Sequence, residues 1–247
     1  MAFNSVERFV KNAILFFGQP RYVKNQQVQK CYLDLIKKYD CDVFCHTWFS
    51  EKEQEYSCST WSNIIDCKVE KDSVEVIKNV YKPKILLEEA SRSFSFCGDL
   101  EKFINNKFTN KSSHFNEKNY NNIISQLYSI EQVSKIFCSS DIEKYKFIIL
   151  TRFDTILTDI PDLYISDENK FYIQNNHTRF PDMSTIYGKK FLEWSKNLYT
   201  DLSNEIEIYK NIWEPSPEAF KYASFIKRFQ SEDIVPCIMR GHAMRSL

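Results

Sequence analysis

The chain has 247 residues, 43% apolar and 15% aromatic, enough for one large domain or two small ones around a sizeable core. Lys plus Arg and Asp plus Glu stand at 33 each, so net charge gives no reason to expect nucleic acid or an anionic membrane as partner. No apolar run approaches the ~20 residues of a membrane span, and Met-Ala-Phe-Asn-Ser-Val-Glu-Arg at the start is no signal-peptide pattern, so a cytoplasmic protein is expected.

Ala13 to Phe17 is an apolar run and reads as the first strand. Gly18-Gln19-Pro20-Arg21 interrupts it. Gly18 allows a tight turn or a close backbone approach to a ligand, while Gln19 and Arg21 supply donors. A plain turn before a helix accounts for the same residues. From Asn25 to Tyr39, Val28, Tyr32, Leu35, Ile36 and Tyr39 recur at helical spacing. Asp42 to Trp48 reads as the second strand, and its His46-Thr47-Trp48 tip could stack on a base or ring, or sit in the core.

Residues 51–66 are polar and Ser-rich, and read as a loop or a short helical piece. Ser73 to Val80 reads as a short helix capped by Ser73, and Lys84 to Glu88 as a third strand. The Asn/Lys/Ser-rich stretch 91–120 reads as an excursion able to cover a site. Asn122 to Phe137 has a strong helical pattern, with Gln126 and Tyr128 inside it, and Ser139-Ser140-Asp141 ends it.

Phe147 to Leu150 is a continuous apolar run, as expected for a strand buried on both faces of a parallel sheet. It stops at Arg152-Phe153-Asp154. A cation and a carboxylate then stand at the carboxyl edge of the sheet, where open α/β sheets bind ligands. Asp154 is expected to be an exposed edge carboxylate that contributes little to packing; a surface ion pair with Arg152 is the plainer account.

Beyond Asp154, Lys170 to Gln174 reads as a strand and His177 to Asp182 as a polar loop. Ser184 to Gly188 leads into a helix carrying Phe191, Trp194, Leu198 and Tyr199. Ser216-Pro217-Glu218 opens another helix, with Ser216 as N-cap and Pro217 at the first helical position. Ile234 to Met239 reads as the last strand, followed by a tail. The alternation of strands and helices predicts an α/β layered fold with a mainly parallel sheet. The eight cysteines form no CxxC pair and read as reduced, mostly buried thiols.

Four stretches occur in order: Ala-Ile-Leu-Phe-Phe-Gly-Gln-Pro-Arg, Asp-Val-Phe-Cys-His-Thr-Trp, Ser-Gln-Leu-Tyr-Ser-Ile and Ile-Leu-Thr-Arg-Phe-Asp. Together they resemble viral and bacterial glycosyltransferase-like proteins of the GT-A type, over roughly residues 12–240. The resemblance implies one GT-A-like (Rossmann-like) three-layer sandwich: a nucleotide-binding half over about residues 12–155 and an acceptor half over 156–247. It implies transfer of a sugar from a nucleoside-diphosphate sugar to a glycan acceptor, assisted by Mn²⁺ or Mg²⁺.

By the same resemblance, Arg152-Phe153-Asp154 takes the place of the family's Asp-x-Asp motif, so that Asp154 would meet the metal and Arg152 the diphosphate. Gly18, Gln19 and Arg21 match where the family holds the nucleotide, and Gln126 and Tyr128 fall where a helix faces nucleotide and sugar. His46 and Trp48 complete the expected donor site. His242 is the candidate second metal ligand, and Asp182 and Glu218 the candidate catalytic carboxylates. Two rivals stay open: a nucleotidyltransferase, which can share a similar sheet, and a silent carbohydrate- or partner-binding module, for which arginine in place of the first carboxylate is the argument.

Overall fold

The structure, a computed structural model, describes residues 10–50, 69–94, 117–175, 180–204 and 216–243, with the backbone alone at 117–120, 203–204, 242 and 243. The polar stretch 51–66, most of the excursion 91–120 and part of the loop 177–182 lie outside the described residues.

Strand β1 (Lys11–Phe17) leads through α1 (Gln26–Tyr39) to β2 (Cys41–Trp48). Then come α2 (Ser73–Tyr81), β3 (Ile85–Glu89), α3 (Glu117–Cys138) and β4 (Tyr145–Arg152). The second half holds β5 (Thr155–Thr158), β6 (Phe171–Gln174), β7 (Ser184–Gly188), α4 (Leu192–Ser195) and α5 (Leu198–Asn204). It ends with α6 (Pro217–Ile226), β8 (Ile234–Cys237) and β9 (Arg240–Ala243).

The described strands form a seven-stranded sheet in the order β3-β2-β1-β4-β7-β6-β8, and a two-stranded ribbon of β5 with β9. In the large sheet β3, β2, β1 and β4 run parallel. β7 runs against both β4 and β6, while β8 runs parallel to β6. One strand is therefore reversed in an otherwise parallel sheet flanked by helices, an arrangement consistent with a Rossmann-like fold.

Period-two alternation sorts the apolar strands onto two faces. Ala13, Leu15, Phe17, Phe44, Ile148 and Leu150 share one core with Leu127, Ile130 and Val133 of α3 and with Trp194 and Phe225. Ile14, Phe16, Val43, Phe147 and Ile149 share the other with Val28 and Tyr32 of α1 and Ile77 of α2. Two cores on one sheet explain why residues 13–17 of β1 and 147–150 of β4 are apolar without interruption rather than alternating with polar residues.

Local chemistry sets the element ends. The Asn25 side chain accepts from the Gln27 and Val28 amides at 2.9 and 3.1 Å and starts α1. Ser216 accepts from the Ala219 amide at 3.2 Å with Pro217 behind it, as expected. Ser73 is not a cap: Asp72 occupies that position and makes no side-chain cap bond.

Three expectations for the second half are refined. Ser184–Gly188, which leads into the helical residues after it, is itself the reversed strand between β4 and β6, and a Cβ on Gly188 would collide with the Glu168 backbone oxygen. The helix expected after it is broken into a 3-10 turn, α4 and α5. The tail after Ile234–Met239 contains β9, which pairs with an unforeseen β5. No described helix is long and apolar enough to cross a membrane.

Candidate functional site at the carboxyl edge of the sheet

The parallel strands β1, β2, β3 and β4 all end on one side of the sheet, which brings Gly18, Trp48, Glu89 and Arg152 to a common edge. Phe17 pairs directly with Arg152, so the loop after β1 lies beside the end of β4. Gly18 turns the chain there with φ +95°, a conformation that L side chains rarely adopt. The Gln19 side-chain oxygen accepts from the Arg21 Nε at 2.9 Å and from Nη2 as well. Arg21 Nη1 stands 3.9 Å from Asp154 Oδ2.

Arg152 is the hub. Its Nε donates to Asp154 Oδ1 at 2.8 Å and its Nη2 to Asp154 Oδ2 at 2.6 Å, a fork that uses both carboxylate oxygens. Its Nη1 donates to Asp182 Oδ2 at 2.9 Å. Burial works against the guanidinium charge, but Asp154 and Asp182 more than offset it and raise its pKa. Asp154 is only 4% exposed, so it is not the surface carboxylate expected from the sequence.

Asp182 is held from three sides. Gln126 donates to its carboxylate and, at 3.0 Å, to its backbone oxygen. The Lys221 ammonium, 2% exposed, donates to the Pro181 oxygen at 2.6 Å and the Asp182 oxygen at 3.0 Å. Burial disfavours the charged form of Asp182, yet Arg152, Lys221 and Gln126 outweigh it and hold the pKa below the usual carboxylate range. Glu218 goes the other way: burial, then the neighbouring Asp182 charge, raises its pKa. Burial pulls the Lys221 pKa down against the opposing pull of Asp182 and Glu218. Two carboxylates pushed in opposite directions are the pattern of a fixed anion beside a proton acceptor.

A second set of bonds runs from the Gly18 loop into the core. The Gly18 amide donates to Ser129 Oγ at 2.8 Å, Ser129 Oγ lies 2.6 Å from His46 Nδ1, and His46 Nε2 lies 2.8 Å from Glu89 Oε2. Burial lowers the His46 pKa, so the ring is neutral near pH 7. The partners then assign the tautomer: Nε2–H donates to Glu89, and Nδ1 accepts from the Ser129 hydroxyl. Tyr128 also donates to Glu89, at 3.3 Å. Ser129 is fully buried, so Ser-His-Glu here is no nucleophilic triad.

The structure thus gathers Gly18, Gln19, Arg21, Gln126, Arg152, Asp154, Asp182 and Glu218 in one region. His46 and Trp48 are 0% and 2% exposed; Trp48 stacks on Tyr128 with ring centroids 5.4 Å apart, and neither His46 nor Trp48 presents a free ring face. Sequence reasoning missed Lys221, Ser129 and Glu89. Glu89 carried a usable signal, since Ile-Leu-Leu-Glu-Glu is again an apolar run ending in charge. Lys221 and Ser129 carried none, because a polar residue on a helix reads as solvated until its neighbours are known.

The described residues do not fit a divalent ion. Both Asp154 oxygens face a guanidinium, Asp182 faces the same one, and no group of three His, Cys, Asp or Glu suited to a metal occurs among them. The His242 backbone pairs with Ile156, two residues beyond Asp154. The Cys41, Cys45 and Cys138 thiols are free, and burial raises the pKa of each, that of Cys41 to about 12.

No family model and no curated protein matches the sequence. One solved structure similar to this chain is that of a glycosyltransferase involved in the glycosylation of the major capsid of PBCV-1. It covers 88% of this chain and 78% of its own, at 12% sequence identity and a TM-score of 0.40. A likeness at that level leaves the function to the site itself.

Proposed function

We propose that the chain transfers a sugar from a nucleoside-diphosphate sugar to a carbohydrate acceptor. The observation that supports this reading most is the convergence of two guanidinium groups, Arg21 and Arg152, at the edge where β1 and β4 end, beside a carboxylate pair of opposed protonation tendency. Guanidinium forks suit the two phosphates, and the Gly18 loop offers close backbone approach to the nucleotide. Residues of the second half, Asp182 and Glu218, would face the acceptor.

In the reaction the bond between the sugar carbon and the diphosphate oxygen breaks, and the electron pair leaves with the diphosphate. The arginines stabilise the charge that develops there. The acceptor oxygen bonds to the sugar carbon, and its proton passes to Glu218, whose raised pKa suits it to receive one. Asp182, held ionised by Arg152, keeps the guanidinium in place.

A thermal-shift panel of UDP, GDP, CDP and their sugars, against the matching triphosphates, tests the reading. Stabilisation by a diphosphate and its sugar but not by a triphosphate is the expected result. Preference for triphosphates points to a nucleotidyltransferase. One observation favours a silent binding module: Arg152 is already paired with two carboxylates without any ligand. That module would show no shift with any nucleotide.

A further inference from the structure

We infer that Arg152 itself occupies the role of the bridging cation, so that this edge binds a nucleoside diphosphate without a divalent metal. The inference rests on the donor-site reading above and departs from the metal dependence that the sequence resemblance implies.

Three observations carry it. The guanidinium joins Asp154, the carboxylate expected to meet the metal, to Asp182 through bonds of 2.6 to 2.9 Å. A planar fork on both oxygens of Asp154 leaves that carboxylate turned to a cation it already has. The charge inventory agrees. Arg152 and Arg21 set two guanidinium groups against Asp154 and Asp182, and the Lys221 nitrogen donates to the Asp182 backbone oxygen beside them. A divalent ion entering here meets two guanidinium groups already seated on the carboxylates, whereas a diphosphate meets N–H donors. Donor capacity agrees as well. A guanidinium has five N–H groups. Three of them are used by Asp154 and Asp182, which leaves two for a phosphate oxygen with no other partner among the described residues.

The experiment uses the full chain stripped with EDTA. Binding of UDP, GDP and CDP is measured by calorimetry in EDTA and again in Mn²⁺ or Mg²⁺. The expected result is a Kd that differs by less than about threefold between the two conditions, with Arg152→Lys weakening binding by about tenfold or more, since a point charge replaces a fork. Arg152→Lys keeps a cation between the carboxylates, and its melting temperature shows whether the fold is intact. Arg152→Asp, which restores two carboxylates in the motif, is expected to lose metal-free binding. Binding seen only with Mn²⁺ or Mg²⁺ overturns the inference and leaves the donor-site reading standing. Absence of binding in both conditions overturns the donor-site reading and the inference with it.

Discussion

Two arginine–aspartate forks in this molecule share one chemistry and differ in setting. Arg228 grips Asp201 through both terminal nitrogens, one at 2.6 Å, and Ser224 Oγ donates to the same carboxylate at 2.9 Å. That fork ties α5 to the end of α6 in the helical layer, with the Lys227 ammonium 3.9 Å from the same carboxylate. Arg152 at the sheet edge carries two carboxylates. A second guanidinium, a buried ammonium and a carboxylate of raised pKa surround it. One fork holds helices together. The other concentrates charge well beyond what closing a turn requires, at an edge suited to ligands. Structural ion pairs also perturb pKa values, so the surplus of charge, rather than any one shift, separates the two regions.

Removing Asp201 should have the largest effect on stability. Asp201→Asn removes the buried carboxylate charge that Arg228 and Lys227 face, and a loss of about 3 kcal/mol in urea unfolding is expected. Nucleotide affinity of the folded fraction should not change; a change would mean that the helical fork also serves the ligand.

Asp154→Asn should cost less, about 1–2 kcal/mol, because Asp182 still pairs with Arg152 and the amide keeps one acceptor. Diphosphate affinity should fall by about tenfold as the fork loosens. Unchanged affinity in titration calorimetry would make the edge fork as purely structural as the helical one.

The smallest effect concerns Glu218. Its folded pKa is raised, by burial first and then by the Asp182 charge, above the ordinary value of a glutamate side chain, so the fold disfavours its charged form. The penalty is fully present above the folded pKa and relieved as pH falls through it towards that ordinary value. Glu218→Gln should therefore stabilise the protein by up to about 1 kcal/mol at pH 7 and flatten this part of the stability–pH curve. The same variant should abolish transfer while leaving diphosphate binding intact. Transfer that survives it would remove Glu218 from the proton path.

The apolar runs 13–17 and 147–150 marked the centre of the parallel half of the sheet, because a strand covered on both faces is driven to be apolar. The periodic faces of α1 and α3 were fixed in the same local way. The ends of those runs placed Gly18 and Arg152 at a common edge before any contact was known. Short-range pattern failed where partners came from far along the chain. Ser184–Gly188 is a strand because β4 and β6 lie on either side of it, and β5 exists only because β9 pairs with it. Burial was likewise a tertiary decision: Asp154 looked exposed in sequence, and only the packing around the edge turned it into a buried partner of Arg152. Lys221 reaches the backbone of Asp182 across 39 residues, and Ser129 reaches Gly18 across 111. No local periodicity encodes such contacts, since each depends on how two separately formed elements dock.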